Sequence, residues 1–408
     1  MADFHQNGSI ATLHNLRTRT LDDLTYEITA FAETRKITLV LPCLYSELEG
    51  SALAGILDEL IKVPYLHRII IGLDQADERQ FRHAQEFFAR LPQDHIVIWN
   101  DGPGMLQLKD RLQAMGLAPQ EPGKGKNVWS CLGYLIACAD TSVMAIHDCD
   151  IVTYNREMLA RLVYPVVNPA FRYQMSKGYY PRVDGRKLNG RVTRLLISPL
   201  LIALKKNIGD RDYLDYLRSF RYPLSGEFAM RTPSLPDLRI PSDWGLEVGV
   251  LSEAWRNLAP QSVCQVEIAD AYDHKHQDLS PEDASRGLSR MSTDICKAIF
   301  RKLASDGTVF TPNLFRSLKA TYYRVALDLL DSYYNDAVMN GLTIDRHEEE
   351  RSVELFAENI IRAGQMFLEN PNETPFIATW NRVNAADPEF LMDLLKIVAA
   401  DGAPTTGS

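Results

Sequence analysis

The chain lacks the features that mark several classes of protein. Its 408 residues include only 6 cysteines, and none of them forms a CxxC pair. This spacing argues against a zinc finger and against a disulfide-stapled fold, so we interpret the six as reduced thiols of an intracellular protein. Lys and Arg number 44 against 53 Asp and Glu, a net charge of −9. That acidic balance argues against broad binding to nucleic acid or to anionic membranes.

A long hydrophobic run is also missing. The longest apolar stretch, residues 195–204, is too short to span a bilayer and is interrupted by Ser198 and Pro199. The first twenty residues lack the continuous apolar segment of a secretory signal peptide. With 46% hydrophobic and 24% charged residues, the composition is that of a globular protein. We therefore expect a cytoplasmic protein with no membrane or nucleic-acid partner.

Short apolar runs alternate with amphipathic segments between residues 37 and 146. Four runs predict buried strands: 37–41, 68–71, 96–99 and 143–146. The segments between them carry apolar residues at helical spacing, on the faces Leu53, Ile56, Leu57, Leu60 and Ile61; Phe81, Ala84, Phe88 and Leu91; and Val128, Leu132, Leu135 and Ala139. Strands that alternate with helices predict an α/β fold with a parallel, Rossmann-like sheet, which binds its ligands at the carboxyl ends of the strands.

The remaining sequence predicts three further regions around this α/β part, 37–150. Residues 1–36 are expected to form an arm or leading helix without a clear core face. Residues 151–280 have a mixed pattern, and 281–408 are mostly helical with a disordered tail. Two apolar stripes in the helical region fit either helix packing or a subunit interface: Phe315, Leu318, Tyr322, Val325 and Leu329; and Leu355, Ile360, Ile361 and Phe367.

Asp148-Cys149-Asp150 comes directly after the predicted strand 143–146. Two carboxylates one residue apart can share a divalent cation, and such a cation neutralises a diphosphate. The alternative is a strand-end aspartate that caps a turn. A second Asp-x-Asp at 210–212 is interpreted as a solvated turn. Because only the first of the two follows a buried strand, we predict a metal site at 148–150.

The segment 122–127 (PGKGKN) precedes a predicted helix. Glycines let the backbone approach an anion, and both Lys124 and the helix N-terminus favour negative charge. The segment is not a P-loop, since no glycine stands five residues before Gly125 and Asn127 replaces Ser or Thr. A phosphate contact and a flexible basic loop both remain open at this point.

Two segments each end on a glutamate: 222–227 (YPLSGE) on Glu227 and 242–247 (SDWGLE) on Glu247. The second opens a predicted helix, of which Asp243 could be the N-cap and Glu247 a partner of the helix dipole. The other interpretation is that Glu247 contacts a hydroxyl of a sugar. The spacing leaves both open.

The segment 273–278 (DHKHQD) contains His274 and His276. A neutral imidazole is a good metal ligand, and one of them could complete a site begun by Asp148 and Asp150. A polar surface loop is the alternative.

The segment 190–193 reads Gly190-Arg191-Val192-Thr193. It offers a guanidinium fork and a hydroxyl to an anion such as a phosphate or a carboxylate. A single arginine is more often a surface salt-bridge residue.

The motifs and their order along the chain resemble those of the glucosyl-3-phosphoglycerate synthase family. Its members are retaining glycosyltransferases of the GT-A fold. The resemblance covers roughly residues 37–280 and rests on the ordered set: the loop Pro42 to Glu47, PGKG, Asp-x-Asp, GRVT, the turn ending at Glu227, SDWGLE and the His-x-His loop. It implies a GT-A nucleotide-diphospho-sugar-binding fold with a C-terminal helical extension, with 37–150 binding the nucleotide sugar and 151–280 the acceptor. It also implies a homodimer.

The resemblance implies a role for each motif residue. The donor would be bound by Pro42, Glu47, Lys124, Asp148, Cys149 and Asp150. The metal, Mg²⁺ or Mn²⁺, would be held by Asp150, His274 and Asp148. The acceptor would be bound by Gly190, Arg191, Val192, Thr193 and His276. Leu224, Glu227 and Glu247 would line the catalytic centre. His276 stands where family members commonly have an Asn.

The reaction implied is transfer of glucose from an NDP-glucose donor to 3-phosphoglycerate. Three alternatives remain open from the sequence. GDP-mannose could be the donor or glycerate the acceptor, since glucose and mannose differ by the contacts of one hydroxyl. A catalytically inactive nucleotide-sugar-binding protein and a metal-dependent nucleotidyltransferase would share the sheet and the carboxylates.

Overall fold

An eight-stranded sheet forms the centre of the protein, which is described by a computed structural model over residues 6, 8–119, 123–273, 287–370 and 376–403. The strands are Ala11–Leu13 (β1), Ile37–Leu44 (β2), Leu66–Asp74 (β3), His95–Trp99 (β4), Val143–Ile146 (β5), Met175–Tyr179 (β6), Val183–Asp184 (β7), Lys187–Leu188 (β8), Phe228–Arg231 (β9) and Val263–Glu267 (β10). Their order in the sheet is β1-β10-β6-β9-β5-β2-β3-β4, and β7 and β8 form a separate hairpin. Strand β9 is antiparallel to both of its neighbours, and the other pairs in the large sheet are parallel.

Helices cover both faces of this sheet and form the C-terminal region. They are Leu21–Ala32 (α1), Ser51–Leu60 (α2), Glu78–Phe88 (α3), Pro103–Ala114 (α4), Lys124–Cys138 (α5), Arg156–Val167 (α6), Ser198–Ile208 (α7), Asp212–Ser219 (α8), Leu246–Asn257 (α9), Gly287–Ser305 (α10), Pro312–Met339 (α11), Arg346–Glu369 (α12), Trp380–Ala386 (α13) and Phe390–Gly402 (α14). Short 3₁₀ turns occupy Tyr45–Glu49, Thr232–Asp237 and Pro260–Ser262, and a π-helical turn spans Val192–Ile197. None of the helices in the described ranges is both long and apolar enough to cross a membrane.

The central strands are buried on both faces, as their apolar runs predict. Alternate residues of a strand point to opposite faces, so Val40 and Ile70 join one hydrophobic core while Leu39 and Ile69 join the other. All four side chains are fully buried. The predicted α/β fold with a parallel-dominated sheet is therefore confirmed.

The strand order reverses between β2 and β5, which pair directly with each other. From β2 the chain proceeds to β3 and β4 on one side, and then returns to β5 on the other side of β2. In open α/β sheets, ligands bind outside the carboxyl ends of the strands at such a reversal. Glu47 follows β2 and Asp148 follows β5, so both lie at this edge. Because β9 is antiparallel and pairs Phe228 with Ile146, Glu227 also lies at the same edge.

A leading helix is present as predicted, whereas the expected lack of a core face in residues 1–36 is wrong. Strand β1 pairs in parallel with β10, with Ala11 opposite Cys264. Helix α1 begins at a capping box formed by Thr20 and Asp23, and it buries Leu24 and Ile28. A strand of three residues is too short to show an alternating pattern, so its place in the sheet could not be predicted.

The two apolar stripes of the C-terminal region are mostly used for packing within the chain. In α11, Phe315, Leu318 and Tyr322 are buried, and in α12 Leu355 and Ile360 are buried. Helix packing, rather than a subunit interface, therefore explains most of both stripes. The six cysteines form no disulfide, and five of them are buried.

Candidate functional site

Lys124 lies between two carboxylates at the edge where the chain reverses. Its Nζ is 2.5 Å from Asp148 Oδ1 and 3.0 Å from Glu247 Oε1. Burial acts to lower the pKa of Lys124, but the charges of Asp148 and Glu247 outweigh it and raise the pKa above its ordinary value. The ammonium group therefore stays charged and neutralises part of an acidic pocket. Three segments that are far apart in sequence meet at this one side chain.

Gly125 explains why Lys124 reaches this position. A Cβ atom at Gly125 would overlap the carbonyl oxygen of Pro241. Only glycine lets the first turn of α5 lie against the backbone of 241–242. This close approach brings the segment that carries Glu247 next to Lys124.

Asp150 lies in the same acidic pocket. Burial, followed by the charges of Asp148 and Glu47, raises the pKa of Asp150 to about 7, while Lys124 acts to lower it. Carboxylates crowded in a buried site are best neutralised by a cation, and oxygen ligands suit Mg²⁺ and Mn²⁺. The residues fit the expected divalent ion in this respect.

The third expected metal ligand cannot be placed. His274, like the acceptor residue His276, lies outside the described residues. In the part of the chain that the structure describes, no group of three His, Cys, Asp or Glu side chains is arranged to hold a metal. The neighbouring residue Asp273 is described: its carbonyl accepts from the amide of Val152 at 2.9 Å, and its amide donates to Thr153 Oγ1 at 3.1 Å. The chain that leads into His274 is thus bound to the segment just after Asp150.

The Cys149 thiol does not face this pocket. It contacts the thiol of Cys43 and is 3% exposed, within the hydrophobic core. What Cys149 can offer to a donor is its backbone.

Pro42 lies in β2 opposite Gly72 of β3, and Glu47 lies in the 3₁₀ turn after β2.

Glu227 is held in place by two tyrosines. Tyr180 and Tyr272 stack with their ring centroids 3.7 Å apart, and each hydroxyl donates to the Glu227 carboxylate at 2.6 Å. Burial, followed by the charge of Asp148, raises the pKa of Glu227. The carboxylate has no exposed surface, so it supports the wall of the pocket.

Lys177 fixes the turn that precedes Glu227. This lysine lies in β6, is 1% exposed, and donates to the carbonyl oxygen of Ser225. The Ser225 hydroxyl donates to the carbonyl of Gly178 at 2.6 Å. Both bonds hold residues 225–227 against β6. The half-buried Leu224 directly precedes Ser225. No sequence motif contains Lys177, Tyr180 or Tyr272, so their roles were not predicted. A lysine within the buried strand Met175–Tyr179 was the available signal.

Gly226 is packed against the carboxylate of Asp148. A Cβ atom at this position would overlap Asp148 Oδ2. We therefore expect Gly226→Ala to displace Asp148 and to lower kcat of the expected glucosyl transfer by about 10- to 100-fold, since small misplacements of reacting groups have effects of that order. Steady-state kinetics measures the change.

Gly55→Ala is the matched control for this substitution. Gly55 lies in α2, and an added Cβ would meet nothing within 4 Å. Its activity should stay close to that of the unmodified protein. A Gly226→Ala protein with unchanged kcat would show that Asp148 is not confined by this contact.

The predicted acceptor segment, residues 190–193, is connected to Glu227 through Arg182 and the aromatic cluster of Tyr180 and Tyr222. Gly190 adopts a φ of +77° and lies against the side chain of Arg182. Arg182 donates to the Tyr222 hydroxyl at 3.2 Å, and Tyr222 lies 5.1 Å from Tyr180 between ring centroids. Val192 and Thr193 begin the π-helical turn that follows Arg191. The segment 190–193 is thus connected through Tyr222 to the residues that hold Glu227.

The structure therefore brings most of the predicted residues to one edge of the sheet. Lys124 contacts both Asp148 and Glu247, and Asp150 and Glu47 belong to the same charged group. Asp243 is not the N-cap of α9; Gly245 is, and the Asp243 carboxylate accepts from its amide at 2.8 Å. The individual binding roles stay predictions.

Comparison with known proteins gives the family. No protein-family model matches the chain. A glucosyl-3-phosphoglycerate synthase from Persephonella marina is 45% identical over 403 residues, covering 99% of this chain and 100% of the relative. One from Methanococcoides burtonii is 36% identical over 403 residues, covering 98% of each chain.

Solved structures share the fold. The glucosyl-3-phosphoglycerate synthase of Mycobacterium tuberculosis, in complex with Mn²⁺, UDP-glucose and phosphoglyceric acid, matches 72% of this chain and 88% of its own with a TM-score of 0.52 and 22% identity. The mannosyl-3-phosphoglycerate synthase of Rubrobacter xylanophilus matches 74% and 83% with a TM-score of 0.54 and 18% identity. The full-length identity to the relatives decides the family. This chain belongs to the glucosyl-3-phosphoglycerate synthase family of glycosyltransferases.

Proposed function

We propose that this protein transfers glucose from an NDP-glucose donor to 3-phosphoglycerate, with retention of the anomeric configuration. The observation that carries the proposal is Lys124 held between Asp148 and Glu247 at the carboxyl ends of β2 and β5. A relative of the same family has been crystallised with UDP-glucose and phosphoglyceric acid, so UDP-glucose is the first donor to test. A homodimer is part of the same proposal.

The donor diphosphate would lie against Lys124, with Glu47 and Pro42 towards the nucleotide. Asp148 and Asp150 would hold a divalent ion with His274, and when bound this ion supplies positive charge to the leaving diphosphate. Lys124 adds a second fixed charge on the side of Glu247. Preorganised positive charge of this kind stabilises a leaving group more strongly in a buried site than in water.

The surroundings of the two glutamates support same-face attack without a covalent intermediate. Glu227 is fully buried and engaged by two tyrosine hydroxyls, and Glu247 is paired with Lys124. Neither carboxylate is set free to attack the anomeric carbon. The acceptor hydroxyl would attack from the side of the departing diphosphate, which takes up the proton, while Leu224 lines the anomeric centre. A glucosyl adduct found on Glu227 or Glu247 by mass spectrometry would contradict this route.

The substrates are tested by offering them in combination. The purified protein is incubated with Mg²⁺ or Mn²⁺, with UDP-, GDP- or ADP-glucose or GDP-mannose, and with 3-phosphoglycerate or glycerate. The proposal requires a glucosyl-3-phosphoglycerate product, whose anomeric configuration is read by NMR. Mannosyl transfer or glycerate as the preferred acceptor would replace the substrate assignment. Pyrophosphate release from a nucleoside triphosphate would indicate a nucleotidyltransferase instead.

Arg191 is expected to recognise the phosphate of the acceptor. We expect Arg191→Ala to lower kcat/KM by about 30- to 100-fold with 3-phosphoglycerate, because a charge-assisted contact to a dianion is lost. With glycerate, which has no phosphate, the loss should be several-fold at most. Steady-state kinetics with both acceptors measures the difference, and equal losses would contradict the assignment.

A further inference from the structure

Arg191 is already paired with the C-terminal helical region. One of its terminal nitrogens (Nη2) is 2.9 Å from Glu348 Oε2, and its Nε donates to Glu349 Oε1 at 3.1 Å. Both glutamates lie in the first turn of α12, more than 150 residues away in sequence. An acceptor anion that binds Arg191 therefore meets two carboxylates that already occupy its guanidinium.

The two glutamates are bound very differently. Glu349 is 2% exposed and forms a bidentate pair with the buried Arg194, at 2.7 and 3.2 Å. Arg194 also donates to the carbonyl of Asn189 at 2.8 Å and lies over the ring of Tyr333. Removing one partner of such a buried pair leaves the other charge uncompensated, so Glu349 is fixed. The side chain of Glu348 is 43% exposed, and exposed ion pairs are weak.

Hydrogen bonds from α11 and the α11–α12 turn reach the segments on both sides of Arg191. Thr343 in the α11–α12 turn donates to the carbonyl of Arg186 at 2.5 Å and accepts from the amide of Leu188 at 3.4 Å. In α11, the Tyr322 hydroxyl donates to the carbonyl of Leu195 at 2.6 Å. These bonds connect the α11–α12 turn and α11 to the segments before and after Arg191. Glu348 already contacts Arg191 in this arrangement.

We propose that Glu348 is the exchangeable counterion of Arg191 and that it weakens binding of the acceptor phosphate. Glu349 keeps the guanidinium in position through Nε, while an arriving dianion displaces the Glu348 carboxylate from the terminal nitrogen. Removing the negative charge of Glu348 both abolishes this competition and removes its repulsion of the anion. The identity of the anion as the phosphate of 3-phosphoglycerate rests on the proposed function; the counterion role does not.

Inorganic phosphate is the probe of the counterion role. We expect Glu348→Gln and Glu348→Ala to lower the Kd for phosphate about two- to fivefold in titration calorimetry, the range of one exposed ion pair. The effect should shrink as ionic strength rises. Glu350→Gln is the matched control: its side chain is 41% exposed in the same helix and pairs with Arg346, so its Kd should be unchanged. An unchanged or higher Kd in the Glu348 variants, or no phosphate binding by any of the proteins, would overturn the proposal.

Kinetics separates this inference from the proposed function. If both hold, Glu348→Gln lowers KM for 3-phosphoglycerate by a similar factor, while kcat and KM for the nucleotide sugar stay the same. A protein that does not glucosylate 3-phosphoglycerate, yet binds phosphate more tightly after Glu348→Gln, would refute the function and leave the counterion role standing. Normal glucosyl transfer with no change in KM or in phosphate affinity would refute the counterion role alone.

Discussion

Replacing Asp150 with alanine is expected to lower kcat/KM for glucosyl transfer by about 10³-fold or more. Asp150 belongs to a half-buried acidic group, in which burial and the charges of Asp148 and Glu47 raise its pKa to about 7 while Lys124 acts to lower it. Crowded carboxylates of this kind are best neutralised by a cation, and the substitution removes the expected metal ligand. Initial rates at increasing Mn²⁺ or Mg²⁺ measure both the loss and whether high metal concentration restores part of the activity.

The sequence supplies its own control for this experiment. Asp210 belongs to the second Asp-x-Asp, and its side chain is 86% exposed beside Lys205. Asp210→Ala removes the same charge from the same type of motif and should leave kcat/KM within about twofold, as surface substitutions usually do. If Asp150→Ala keeps more than a tenth of the activity, the assigned metal site is wrong. If the unmodified protein has no turnover with any nucleotide sugar, it is an inactive binding protein.

Lys124→Met is expected to lower kcat by about 10²- to 10³-fold, the range reported for loss of one preorganised electrostatic contact. The ammonium group contacts both Asp148 and Glu247, so the substitution removes a positive charge and leaves two carboxylates unneutralised. Their repulsion of an anionic donor should also raise its KM. Methionine keeps most of the length of the side chain, which separates the loss of charge from the loss of packing.

A lysine outside the pocket tests whether loss of charge alone has this effect. Lys206 is exposed in the last turn of α7, and Lys206→Met should change kcat little. Thermal unfolding of both variants shows whether either has lost its fold. A loss of less than tenfold for a folded Lys124→Met protein would mean that the leaving diphosphate is stabilised by other groups.

Much of the sheet and several site residues could be predicted because the signals are local. The strand predicted at 143–146 is observed with the same bounds, and the other three predicted strands lie within longer observed ones. A strand buried on both faces must be apolar throughout, so it is visible in the sequence without its neighbours. The position of Asp148 and Asp150 at the edge of the sheet could be predicted for the same reason, because they directly follow such a strand.

Contacts between distant segments could not be predicted in this way. Periodicity shows that a residue is buried but does not show what it is buried against. The pairing of Arg191 with Glu348 joins residues from the acceptor segment and from α12, and neither segment contains a signal for the other. Lys177 was not predicted because its partner is the backbone carbonyl of Ser225. Every residue has such a carbonyl, so the partner leaves no signal in the sequence.

The amino-acid sequence by itself determined the alternation of strands and helices, the order of the motifs and the family to which they belong. These follow from local hydrophobic patterns and from residue types at short spacing. Only the tertiary structure decided that β1 joins the sheet, that the antiparallel β9 brings Glu227 to the edge shared with Asp148, and that Lys124 is bound between two carboxylates. The physical reason is that such contacts depend on how the whole chain packs, so no short stretch of it carries the information.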